Sequence, residues 1–79
     1  MTVLDKECRA VLKDTIRTLK EQKRILEDMA DKGLDMYNSL PTGVKESDRG
    51  LDLDASNWNL KGASVDIESA IFNIKQVLE

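Results

Sequence analysis

In the last third of the chain, a predicted helix over about 56–79 and the Leu51 that precedes it place apolar residues on two opposite sides, and no lone hairpin can cover both. Leu60, Ala63, Ile67, Ala70, Ile74 and Val77 alternate at three and four residues, a heptad seam with every position apolar. Leu51, Trp58, Val65 and Phe72 recur every seven residues and project onto roughly the opposite side. The first row calls for a neighbouring helix, which the N-terminal half supplies by folding back as an antiparallel hairpin. The second row then stays in water, and an exposed apolar patch of that kind marks an interface. Leu51, Trp58, Val65 and Phe72 are therefore the candidate oligomer interface. The alternative is that the chain's own 34–40 segment or connector folds over them. Gly62, inside this helix, costs about 1 kcal/mol against alanine and offers close approach to a partner backbone.

The N-terminal half is predicted to be one long helix over about 2–31, because it holds neither glycine nor proline. Thr2 followed by Asp5 reads as a capping box. Helical projection gathers Leu4, Cys8, Val11, Leu12, Leu19 and Leu26 on one broad face with Ile25, Met29 and Ala30, leaving Ile16 at its edge. That face reads as core, with Cys8 as a small buried thiol. Thr15 and Gln22 fall in its middle. Polar residues there set register or oligomer state, or else line a seam that holds a ligand.

On the other side Lys6, Arg9, Lys13, Arg17, Lys20 and Arg24 follow three-and-four spacing and form a basic strip. Acidic residues run beside it, so pairs such as Arg17 with Glu21 and Arg24 with Asp28 are expected to neutralise part of the strip. A solvated face is the plainer reading. The sharper one makes Lys13 and Arg17 contacts for a phosphate or an acidic protein surface. Duplex nucleic acid is disfavoured, since the chain has a net charge of −3 and lacks a recognisable reading motif.

Lys32-Gly33 is a plausible helix stop, although Leu34, Tyr37 and Leu40 keep a helical spacing as far as Pro41. Residues 41–54, with Gly43, Gly50, Ser47 and three aspartates, read as a long connector. Asp48, Asp52 and Asp54 do not reproduce a calcium-loop pattern, and carboxylates suit the start of the next helix. The expected organisation is thus one all-α domain over 1–79. It comprises a helix at about 2–31, a short helical extension at 34–40, the connector, and a helix at about 56–79. At 79 residues such a domain is marginal alone, which again favours a helix-bundle homo-oligomer.

Catalytic chemistry has little to work with. The chain has no histidine, a single cysteine, no glycine-rich phosphate loop and no paired carboxylates spaced for acid and base roles. No enzyme, cofactor or metal site is expected. The early charges at Asp5 and Lys6 argue against a signal peptide, and no apolar run approaches a membrane span, so a cytoplasmic protein is expected. Tyr37, Lys45 and Arg49 could surround a small anion.

The run Leu40-Pro41-Thr42-Gly43-Val44-Lys45-Glu46-Ser47, together with Asp66-Ile67-Glu68-Ser69-Ala70-Ile71, resembles the hairpin of phage-encoded cyclic-oligonucleotide sponges of the anti-CBASS type. The resemblance implies a non-enzymatic oligomer that sequesters a cyclic nucleotide signal between subunits, with Lys45 and Ser47 as possible contacts. Three functions follow as expectations. The first is a protein-interaction module, such as an inhibitor or adaptor. The second is a phage anti-defence sponge for an anionic nucleotide, and the third a structural assembly component.

Overall fold

The computed structural model describes residues 5–79, within which lie three helices: α1 (Lys6–Asn38), α2 (Thr42–Lys45) and α3 (Asp48–Leu78). Thr2 and Leu4, assigned above to a capping box and to the apolar face, lie outside the described residues. The N-cap of α1 is Asp5, whose carboxylate accepts the Cys8 backbone N–H at 2.8 Å. That hydrogen bond holds the Asp5 carboxyl below its ordinary pKa.

Helices α1 and α3 pack antiparallel along their lengths, with α2 lying against the start of α3. Two cross-helix neighbours set the register: Gly33 faces Asn57, and Lys23 Nζ lies 3.3 Å from Glu68 Oε2. The hairpin measures 58 × 15 × 13 Å. Its radius of gyration is 17.8 Å, whereas a compact domain of this length has about 12 Å. Among the described residues no helix is long and apolar enough to cross a membrane.

The helix expected to stop near Asp31 runs on without a break to Asn38. Gly33 keeps ordinary helical angles and is buried, so it serves packing and not termination. Its missing side chain is the space into which Asn57 fits. The end comes six residues later, where the Ser39 N–H reaches the carbonyls of Asp35 and Met36 and the Ser39 hydroxyl donates to Asp35 O at 2.8 Å. Pro41 then prevents continuation.

The segment 41–54 is not an irregular connector. Val44 and Lys45 N–H groups both reach Pro41 O at 3.0 Å to form α2, and α3 begins at Asp48 instead of near Ser56. Residues that look like loop formers act locally here. Asp48 sits in the first turn of α3, where a carboxylate suits the helix dipole, and Ser47 turns its hydroxyl back to Val44 O. Gly50 is buried where a side chain would run into the backbone of Val44 and Lys45, whose Cα lies only 2.6 Å from the ideal Cβ position. A glycine there lets α2 fold directly onto α3.

The seam between the long helices differs from the expected one on both sides. On α3 the row turned towards α1 is Leu53, Asn57, Leu60, Ser64, Ile67 and Ile71, so Leu60, Ile67 and Ile74 hold their assignment. Ala63 and Ala70 move to the flank, and Val77 is 49% exposed. On α1 the row is Leu12, Ile16, Leu19, Lys23, Leu26 and Ala30, with Ile16 buried at its centre and not at an edge. Cys8, Val11, Ile25 and Met29, expected in the core, are exposed, as is Gln22. Thr15 is half-buried and gives its hydroxyl to Val11 O at 2.9 Å. Counting outward from Gly33 and Asn57 sets Ala30 across from Leu60 and Leu26 across from Ser64, small against large. Only Ile16, Ala30 and Ile71 are buried apolar side chains among those described, which makes a thin core.

Candidate docking face

The outer face of α3 carries an uncovered apolar row. Leu51, Trp58, Val65 and Phe72 are 56%, 70%, 62% and 61% exposed, and they run along the side turned away from α1. Neither α2 nor the end of α1 folds over them. Between them, at the same seven-residue period, lie exposed Ala55, Gly62 and Ser69. Space beside Gly62 is open, with nothing within 4 Å of where a side chain would start. The face is thus a row of large residues beside a lane of small ones, spanning about 32 Å from Leu51 to Phe72 at 1.5 Å per residue.

The cause lies in the composition of α3. Its apolar residues form two rows on opposite sides, with charged and amide residues between them, whereas α1 gathers its apolar residues more on one side. A helix with two apolar sides calls for two neighbours, and here one neighbour covers a single side.

Two of the six cations of the basic strip, Arg17 and Arg24, are paired within their own helix. Arg17 pairs with Asp14 at 2.7 Å, not with Glu21, and Arg24 spans Glu21 at 2.6 Å and Asp28 at 3.1 Å. The Arg24 contact holds the Glu21 carboxyl below its ordinary range and the Arg24 guanidinium above its own. Such exposed pairs contribute little to stability.

Lys23 was missed by sequence reasoning, although its place in the run Leu12, Ile16, Leu19, Lys23, Leu26 was the available signal. It is half-buried at the seam and ion-paired to Glu27 and to Glu68 of α3. Hydrogen bonding to Glu27, then to Glu68, raises the Lys23 pKa. Conversely, Lys23 lowers that of Glu27, with a smaller contribution from Ser64. These charges, with Lys61, border an open cleft of about 520 Å³ whose far rim is Val65.

The candidate anion contacts separate into two groups. Of those near the turn, the structure brings Lys45 and Tyr37 together, with Lys45 Nζ 5.5 Å above the ring, whereas the Ser47 hydroxyl is engaged by Val44 O. Arg49 lines a shallow cleft there with Met36, Leu40 and Leu53. Lys13 and Arg17 lie on the same straight helix twenty or more residues before Tyr37, about 30 Å away at 1.5 Å per residue. One ligand of ordinary size cannot touch both groups. Among the described residues, no three carboxylate or thiol side chains converge closely enough to share a cation. No protein-family model, curated protein or solved structure matches the chain.

Proposed function

We propose that the protein is a non-catalytic binding module that works by docking the outer face of α3 against another helix, assembling into a helix-bundle homo-oligomer and serving as an inhibitor or adaptor in the cytoplasm. The observation that carries this reading is the exposure of Leu51, Trp58, Val65 and Phe72 along a helix whose opposite apolar side is already taken by α1. Surface area supports it. The chain exposes 5964 Å², about 1,150 Å² more than the roughly 4,800 Å² typical of a compact monomer of 8.9 kDa. One partner of a standard interface contributes about 800 Å².

Trp58 is the sole tryptophan, so its fluorescence reports directly on that face. Light scattering on a sizing column should give a mass above 8.9 kDa, with blue-shifted Trp58 emission that turns red on dilution. A particle of monomer mass with water-like Trp58 emission at every concentration, and unchanged by any added helical partner, rejects the reading.

A second reading is favoured by the turn, where Lys45 lies over the Tyr37 ring and offers charge beside an aromatic face to a small anionic nucleotide. This is the sponge alternative. Thermal shift against a panel of cyclic nucleotides tests it: stabilisation that Lys45→Glu removes supports it, and no shift with any of them rejects it.

A further inference from the structure

We infer that the helix docked on the outer face of α3 is the same face of a second copy, laid antiparallel about a twofold axis between Ala63 and Ser64. This rests on the proposed docking role of that face and specifies its occupant and register. In an isologous pair each residue meets a residue of the same list, so the surface must be complementary to its own reversal. The outer face of α3 meets that condition at three levels.

The first is volume. Setting Val65 of one copy beside Gly62 of the other places Trp58 beside Ser69, Phe72 beside Ala55 and Leu51 beside Gln76. The three bulkiest of these pairings put a large side chain against a small one, and all these residues are exposed and free to meet a partner. The parallel arrangement stacks Trp58 on Trp58 and Gly62 on Gly62, leaving gaps between crowded layers.

The second is charge. Flanking the large row on the side of the open cleft are Asp54, Lys61, Glu68 and Lys75. The same register, with no further adjustment, brings Lys61 against Glu68 and Asp54 against Lys75 of the other copy. Each pair occurs twice by symmetry, and every one joins opposite charges. In antiparallel helix pairs, flanking contacts of this kind choose partner and orientation.

The third is hydrogen bonding. On the other flank, Asp52 comes to Asn73 and Asn59 to Asp66, a carboxylate against an amide in each case. A face built for an unrelated partner has no reason to satisfy its own reversal in volume, charge and hydrogen bonding at one register. The excess exposed surface is also of the size that each half of a stable dimer buries.

Two full-length charge-reversal variants provide the test, Asp54→Lys and Lys75→Glu, at the flanking pair that stands clear of the Lys23–Glu68 contact within the hairpin. Each alone sets like charges together at two symmetric places and should weaken self-association about tenfold at low salt. Mixed in equal amounts they restore attraction at both, so native mass spectrometry should find the mixed dimer well above its statistical share, with near wild-type affinity. Gly62→Leu supplies a readout independent of charge. It raises helix propensity at a position with open space around it, so circular dichroism should keep its helical signal while the particle becomes a monomer.

Mixed dimers at or below the statistical share, or Gly62→Leu associating like wild type, overturn the register. If Phe72→Asp still dissociates the wild-type assembly in that case, docking through the outer face survives and only this inference falls. A wild-type chain that stays monomeric at millimolar concentration, and binds an unrelated helix through the same face, also overturns it.

Discussion

Gly33 of α1 and Asn57 of α3 face each other so closely that a methyl group on Gly33 would overlap the Asn57 amide, lying 2.8 Å from its Cγ. Asn57 is 6% exposed, and its Nδ2 has no hydrogen-bond partner. A buried unpaired amide costs about 1–3 kcal/mol. What offsets that cost is register. Sliding α3 by one heptad would set Asn57 against Leu26 or Leu40, with neither the space nor the backbone that Gly33 exposes.

Gly33→Ala should therefore lower stability by about 1–3 kcal/mol through overpacking, although alanine is the better helix former. Adding Asn57→Ala vacates the space and removes the unpaired amide, so the double variant should recover most of the loss. Urea melts of the two singles and the double measure the coupling. A Gly33→Ala protein more stable than wild type contradicts the close approach.

Gly50→Ala should loosen the turn. Its methyl group meets the Val44 and Lys45 backbone, so α2 must lift from α3 at a cost of about 1–3 kcal/mol. Hydrogen exchange is the measurement. The Val44 and Lys45 amides, which bond to Pro41 O, should lose protection while the amides around Ile71 keep theirs.

Neighbouring residues on α3 should respond in opposite ways. Ile71 is 4% exposed and Phe72 61% exposed. Ile71→Ala should cost about 2–5 kcal/mol of folding stability. Phe72→Asp should leave helicity and monomer stability nearly unchanged while dissociating the assembly. Unfolding of Phe72→Asp, seen by circular dichroism, would place that ring in the core of a single copy.

The Lys23, Glu27 and Glu68 cluster should tie stability to pH at both extremes. The lowered Glu27 pKa gives stabilisation that is complete above the ordinary carboxyl value of 4.5 and fades as pH falls through the depressed one. The raised Lys23 pKa gives stabilisation that is complete below 10.5 and fades as pH rises beyond it. Lys23→Met should flatten the alkaline limb and reduce the acid one in urea melts from pH 3 to 11, leaving the acid-side contributions of Asp5 and Glu21. An unchanged acid limb would assign it to those two carboxyls alone.

Much of this architecture was legible from spacing alone. The lack of glycine and proline before Lys32 foretold a long first helix, and the heptads of the last third foretold an antiparallel partner. The row of Leu51, Trp58, Val65 and Phe72 was correctly seen as the side that one neighbour cannot cover. The errors share a source. Leu60, Ile67 and Ile74 belong equally to a seam completed by Ala63 and Ala70 or by Ser64 and Ile71. Periodicity cannot choose between them when a helix is apolar on both sides.

Periodicity along the chain dictated that two long helices form and that one of them carries more apolar surface than a hairpin can hide, because both follow from residue spacing. Which rows meet was settled by packing across the seam. Ser64 and Asn57 are acceptable core residues only because Leu26 and Gly33 stand opposite, and Lys23 is held at the seam because Glu68 reaches it from α3. Such complementarity belongs to pairs of residues far apart in the chain, so it came into being only when the two helices were laid together.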